Sequence, residues 1–183
     1  EAMIDEVLAD FGAGDYLLLQ NEISHVDSII CAAHAKGMHI ILNPSPMSPE
    51  LLTRPLELVE WFILNEIEGA DITGKTQPEE MLDELLRRYP ACHVVLTLGE
   101  RGSVYADATQ RIAQSIVPAH TVDTTAAGDT FTGYFLHALL QGEAIQQALK
   151  TAACASAITV SRPGAGRSIP AAEEVQAAMK EAQ

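Results

Sequence analysis

Val122-Asp123-Thr124-Thr125-Ala126-Ala127-Gly128-Asp129-Thr130-Phe131-Thr132-Gly133 runs from a string of small residues straight into Thr130 to Leu140, a segment that reads as a helix. Small side chains let a ligand approach the backbone. The N–H groups of Ala126, Ala127, Gly128 and Asp129 would lack intrahelical acceptors at such a helix start. The helix dipole adds positive potential there, so the stretch reads as an anion-binding nest. A nest of this kind can stabilise charge developing on a transferring phosphoryl group. Asp129, at its lip, is placed to accept a proton from an attacking hydroxyl. Aspartate is also a preferred N-cap residue, so simple helix capping is the competing reading.

Upstream, short apolar runs alternate with amphipathic stretches, the pattern of β-α-β units around a mostly parallel sheet. The predicted strands are Tyr16-Gln20, His39-Asn43, Trp61-Leu64 and His93-Leu98. Helical periodicity covers Val26 to Ala35 and Glu79 to Arg88, the second introduced by Thr76 with Glu79 at capping-box spacing. Ser103-Tyr105 and Arg111-Ile116 read as a short antiparallel pair turning at Asp107-Ala108-Thr109. Downstream, Ile145 to Val160 is long and Ala-rich, and Pro170 opens a terminal helix. The fold class is therefore α/β, and no linker-like stretch divides the chain.

The 183 residues are 48% hydrophobic and 20% charged, enough for one ordinary globular domain. A net charge of -14 argues against a nucleic-acid partner, since that affinity rests on Lys and Arg meeting phosphates. A small molecule held by backbone amides and a metal ion fits better. Cys31, Cys92 and Cys154 lie far apart in apolar surroundings and read as buried free thiols of a reducing compartment, pointing to the cytoplasm. No apolar run reaches the roughly 18 residues that span a bilayer, so no membrane is expected. The chain starts with Glu1 in mid-helix pattern, and an earlier segment is expected before it. G-x-x-x-x-G-K-[ST] does not occur, Gly164-Ala165-Gly166 lacks the third glycine of a dinucleotide fingerprint, and no G-x-S-x-G elbow is found. The six histidines show no zinc-like spacing and read as structural.

The stretch Asp123-Thr124-Thr125-Ala126-Ala127-Gly128-Asp129-Thr130-Phe131 resembles the C-terminal signature of the ribokinase, or phosphofructokinase-B type, carbohydrate kinases. That resemblance implies Asp129 as catalytic base and the amides of Ala126, Ala127 and Gly128 as anion hole. Many members have Gly where this chain has Ala126, and alanine also occurs in ribokinases. Leu64-Asn65-Glu66-Ile67-Glu68 resembles the family's Asn-x-x-Glu motif, implying that Asn65 faces the ATP phosphates and Glu68 organises Mg²⁺ through water; an exposed polar strand end is the bland alternative. Thr97-Leu98-Gly99-Glu100-Arg101-Gly102 resembles the nucleotide loop, implying contacts from Thr97, Gly99 and Gly102, although a plain turn before a hairpin also explains the glycines. Thr159-Val160-Ser161-Arg162-Pro163-Gly164-Ala165-Gly166-Arg167-Ser168 resembles the segment that closes over adenine. With Asp123 and Thr125, its Thr159, Arg162, Gly164 and Ser168 would enclose K⁺, mostly through backbone oxygens. Leu19-Gln20-Asn21-Glu22 resembles the strand end where ribokinases place a glutamate beside the sugar, making Glu22 a substrate candidate.

What the resemblance implies is a three-layer α/β/α fold with a Rossmann-like central sheet. Residues 1–183 would form the C-terminal portion of a single kinase domain, without the family's first strands and lid. The implied activity is transfer of the ATP γ-phosphate to a sugar hydroxyl, with ATP, Mg²⁺ and K⁺ as cofactors. A homodimer is compatible, because the family's lid takes part in dimerisation. A nucleoside or phosphosugar kinase, and a truncated nucleotide-binding fragment without catalysis, stand as alternatives.

Overall fold

The computed structural model describes residues 2–181. Four apolar runs form the predicted parallel strands, β1 (Tyr16–Gln20), β2 (His39–Asn43), β3 (Trp61–Asn65) and β4 (His93–Thr97). Each pairs in parallel with the next, with Leu18 opposite Ile41, Leu42 opposite Phe62 and Leu64 opposite Leu96. β5 (Ser103–Ala106) and β6 (Arg111–Gln114) complete one sheet in the order β1-β2-β3-β4-β5-β6. The Asp107 amide donates to the Gln110 carbonyl at 3.1 Å, closing the turn between β5 and β6. So short a connection cannot make a parallel crossover, and the last pair is antiparallel as expected.

By contact density the chain divides into two compact units. One comprises the residues up to Leu98 together with Val104–Arg111; the other comprises Gly99–Ser103 and the residues from Ile112 onward.

In the first unit, alternate strand residues feed one core. Leu19, Ile40, Leu42, Phe62, Leu64, Val94 and Leu96 lie on a single face of the sheet and are buried. α2 (Val26–Ala35) sets Val26, Ile30 and Ala33 into this core, and α4 (Pro78–Arg88) sets Met81, Leu82 and Leu85. Ile41, Trp61, Ile63 and Val95, pointing the other way, are buried too. Near-continuous apolar runs are what a parallel sheet buried on both faces requires. α1 (Ala2–Leu8) contributes Leu8 to the core.

α3 (Glu66–Thr73) is a helix that the sequence pattern did not announce. The predicted capping box at Thr76 and Glu79 does not form. Gln77 occupies the N-cap of α4 without a side-chain bond, because Pro78, with its fixed φ and missing N–H, takes the first helical position. Two histidines are structural, as expected: His39 meets Glu60 at 2.6 Å and stacks on Tyr16, and His93 meets the Tyr105 hydroxyl at 2.6 Å and stacks on Trp61. Cys92 and Cys154 are buried, but Cys31 is exposed on the outer face of α2, correcting the expectation for that thiol.

In the second unit, α5 (Ala127–Leu140) packs against α6 (Ile145–Val160). α6 offers buried Ala148, Ala152 and Ala155, whose small side chains permit close approach. The buried Thr159 hydroxyl donates to that of Thr130 at 3.1 Å, and Ser156 donates to the Ala127 carbonyl at 3.2 Å. α7 (Ala172–Glu181) closes a smaller cluster of Cys154, Ala155 and Val175. No helix among the described residues is long and apolar enough to cross a membrane.

Candidate functional site

The carboxyl ends of the parallel strands gather the polar candidates of the first unit. Gln20 of β1 stands beside Asn43 of β2, and Asn65 of β3 beside Thr97 of β4. In open α/β sheets this is the end at which ligands bind. Asn65 ends β3 and caps α3: its Oδ1 accepts from the amides of Ile67 (2.9 Å) and Glu68 (3.0 Å). Glu68 answers by accepting the Asn65 amide at Oε2 (2.9 Å) and its Nδ2 at Oε1 (3.0 Å). The Asn-x-x-Glu spacing is thus a capping box that fixes both side chains at a helix N-terminus, with Glu68 buried and Asn65 exposed. Thr97 donates its hydroxyl to the Leu64 carbonyl at 3.4 Å. Glu22 is exposed in the turn after β1. Its neighbour Asn21, which sequence reasoning did not single out, bonds the Ser45 carbonyl through its amide (2.9 Å) and the Pro46 carbonyl through Nδ2 (2.8 Å). Both bonds join segments far apart in sequence, so no local pattern announces them.

The second unit brings together the remaining candidates. Ala126, the residue before α5, has φ 61° and ψ 8°, the left-handed region that costs a non-glycine residue about 1–2 kcal/mol. α5 begins at Ala127 rather than Thr130, so Asp129 lies within the first helical turn, exposed, and is not its N-cap. The Ala127 amide is donated to the Thr124 carbonyl at 3.2 Å, which removes it from the set of unpaired N–H groups expected there.

Asp123 accepts the Thr125 amide at Oδ1 and the Gly164 amide at Oδ2, each at 2.9 Å. The Thr125 hydroxyl, the Gly164 amide and the Thr125 amide, in that order of effect, hold the Asp123 carboxyl down at about 2. The Val160 carbonyl accepts from the amides of Val122 (2.7 Å) and Asp123 (3.2 Å). Asp123, Thr125 and Gly164 are therefore brought into one cluster, with Thr159 buried beneath the start of α5 through Thr130. The Arg162 guanidinium turns to Glu174 of α7, and Ser168 is buried with its hydroxyl on the Ala165 carbonyl at 2.6 Å. Gly99 and Gly102 both have positive φ, 55° and 90°. A Cβ at Gly102 would lie 2.1 Å from the Gln114 carbonyl oxygen, so its missing side chain is already used within the hairpin.

Among the described residues no group of three or more His, Cys, Asp and Glu could by itself hold a metal ion. Mg²⁺ bound to nucleotide keeps several waters and takes phosphate oxygens, so it needs no such cage, and Glu68, its two oxygens held by Asn65, would act through such a water.

The family described as "pfkB family carbohydrate kinase" matches residues 8–172. Among curated proteins, the chain is 34% identical to the ribokinase of Schizosaccharomyces pombe, over 87% of this chain and 53% of the relative. It is also 34% identical to the ribokinase of Bacillus subtilis, over 88% and 54%. Among solved structures, the ribokinase of Thermotoga maritima matches with a TM-score of 0.78 at 31% identity, over 91% of this chain and 57% of that one. The Arabidopsis thaliana ribokinase complexed with ribose and ATP matches with a TM-score of 0.78 at 31% identity, over 90% and 55%. The chain thus has a ribokinase-like α/β fold, and it spans about half the length of the relatives it matches.

Proposed function

Because the chain belongs to the pfkB family of carbohydrate kinases, we propose that it carries the nucleotide-binding and catalytic portion of an ATP-dependent sugar kinase, corresponding to the C-terminal part of a single ribokinase-like domain. The observation that carries this reading is the start of α5, where small residues lead into a helix whose first turn holds an exposed carboxylate, Asp129. Asp129 accepts the proton of the attacking sugar hydroxyl as the γ-phosphoryl group moves to that oxygen and ADP leaves. The amides of Ala126, Gly128 and Asp129 line the anion hole and stabilise charge on the phosphoryl oxygens; Ala127 contributes less, its N–H being donated to Thr124. Asn65 and Thr97, neighbours at the ends of β3 and β4, face the nucleotide phosphates, and the loop of Gly99 and Gly102 follows the nucleotide backbone. Mg²⁺, when bound, neutralises phosphate charge, and Glu68 orients its water shell from a fixed rotamer. Asp123, Thr125, Thr159, Arg162, Gly164 and Ser168 would hold K⁺, mostly through backbone oxygens. Glu22 is the candidate sugar contact in this chain.

The test is ADP release with MgATP, K⁺ and a panel of sugars, nucleosides and phosphosugars. Turnover with a sugar supports the proposal, and turnover only with a nucleoside or phosphosugar moves the acceptor class within the family. The span of about half the relatives' length favours a second reading, a nucleotide-binding portion that does not turn over alone; MgATP binding without turnover would select it.

A further inference from the structure

The side chain of Asp123 does something that an oxygen donor to a cation does not require. Its two carboxylate oxygens are each occupied by an amide, Thr125 on its own loop and Gly164 41 residues later. Two backbone bonds run beside them, from Val122 and Asp123 to the Val160 carbonyl at the end of α6. These backbone bonds hold only the root of the segment after α6. Beyond Val160, the bond from the Gly164 amide to Asp123 returns that segment to the entrance of α5. Between Val160 and Gly164, Arg162 is drawn to Glu174, and the Glu174 carboxylate also accepts the Ala171 amide at 2.9 Å.

We propose that Asp123 is a positioning residue: its carboxylate latches the Arg162–Ser168 segment to the loop that enters α5, so that the two loops of the nucleotide site are held as one piece. The latch itself stands on geometry alone, and only its consequence for nucleotide binding rests on the reading above. Charge-assisted bonds of this kind are roughly twice as strong as neutral ones, and one carboxylate accepting two amides orders both donors at once. Asparagine cannot replace it. Its amide group offers one acceptor oxygen, and on the other side a donor would meet the Gly164 N–H.

The test uses isotope-labelled chain and nuclear magnetic resonance. In the unsubstituted chain a scalar coupling across the hydrogen bond should connect the Asp123 carboxyl carbon to the Gly164 amide nitrogen. In Asp123→Ala and Asp123→Asn, the Gly164 and Thr125 amides should exchange about tenfold or more faster with solvent, while the amides of Val122 and residue 123, bonded to Val160, keep their protection. A general loss of structure would release all four together, and where a variant fails to fold, the coupling in the unsubstituted chain decides. MgADP is the ligand probe: it should shift resonances of residues 126–129 and 162–168 together in the unsubstituted chain, and in the variants only one of the two groups. An absent coupling with a fast-exchanging Gly164 amide would overturn the latch, and variants in which MgADP still moves both loops together would overturn its consequence for nucleotide binding. If MgADP does not bind at all, the kinase reading fails, and the latch is still decided by coupling and exchange.

Discussion

Replacing Gly102 by alanine isolates a backbone clash whose size follows from distances. The added Cβ would stand 2.1 Å from the Gln114 carbonyl oxygen, 3.0 Å from Ser115 Cα and 3.1 Å from the Gln114 carbonyl carbon. All three are backbone atoms, so no rotamer change relieves them, and the hairpin or the Gly99–Arg101 turn must shift instead. Overpacking of this kind costs about 1–3 kcal/mol. The residue's φ of 90° adds about 1–2 kcal/mol for a side chain, and the lower chain entropy of alanine in the unfolded state returns about 0.5–1 kcal/mol. The net loss is about 1–4.5 kcal/mol, or roughly 2–18 °C in Tm for a chain of this length. Gly74→Ala separates the two causes, because Gly74 has φ 72° and nothing within 4 Å of its would-be Cβ. That variant should lose only about 1 kcal/mol, from backbone conformation alone. The assay is thermal unfolding followed by circular dichroism, with urea midpoints as a check. Equal losses in the two variants, or a Gly102→Ala loss under about 1 kcal/mol, would refute the reasoning.

Asn65→Ala removes the N-cap of α3 and frees the Glu68 side chain, and should lower stability by about 1–2 kcal/mol in urea titration; on the proposed role of Asn65, MgATP affinity measured by calorimetry falls as well. Phe62→Ala opens a cavity in the first unit's core and should cost about 3–5 kcal/mol by the same titration. Hydrogen bonds from Arg87 and then Arg88 hold the Glu84 carboxyl down from 4.5 to about 2. A depressed carboxyl contributes stability that is complete above its ordinary value and is lost as the pH falls through the folded value. The Glu84 contribution should therefore fade between about pH 4.5 and 2, and Glu84→Gln should flatten that part of the stability profile.

The strands were legible because a parallel sheet buried on both faces demands runs such as Trp61-Phe62-Ile63-Leu64, which few other structures tolerate. α3 was not, since Glu66-Ile67-Glu68-Gly69-Ala70-Asp71-Ile72-Thr73 has no clear apolar stripe and owes its start to the Asn65 cap and its end to the left-handed Gly74. The same cap explains why the Asn-x-x-Glu spacing was readable as a motif while its local physics was not. α5 starts three residues before the helix pattern does because Ala126, with its positive φ, acts as the turn that a glycine would announce. The closure from Asp123 to Gly164 spans 41 residues, and no local pattern carries it. The roles of Asp129, Glu22 and the cation-binding oxygens come from the family resemblance. The structure adds the bonds of the Asp123 carboxylate to the Thr125 and Gly164 amides.

Sugar-dependent ADP release compared between the unsubstituted chain and Asp129→Asn, at saturating MgATP and K⁺, tests the central claim most directly. The account predicts turnover that falls by about 10²–10⁴ in the variant, with MgATP affinity little changed, because a general base acts on the transferring proton and not on nucleotide binding. Turnover that survives the substitution at an undiminished rate would contradict it.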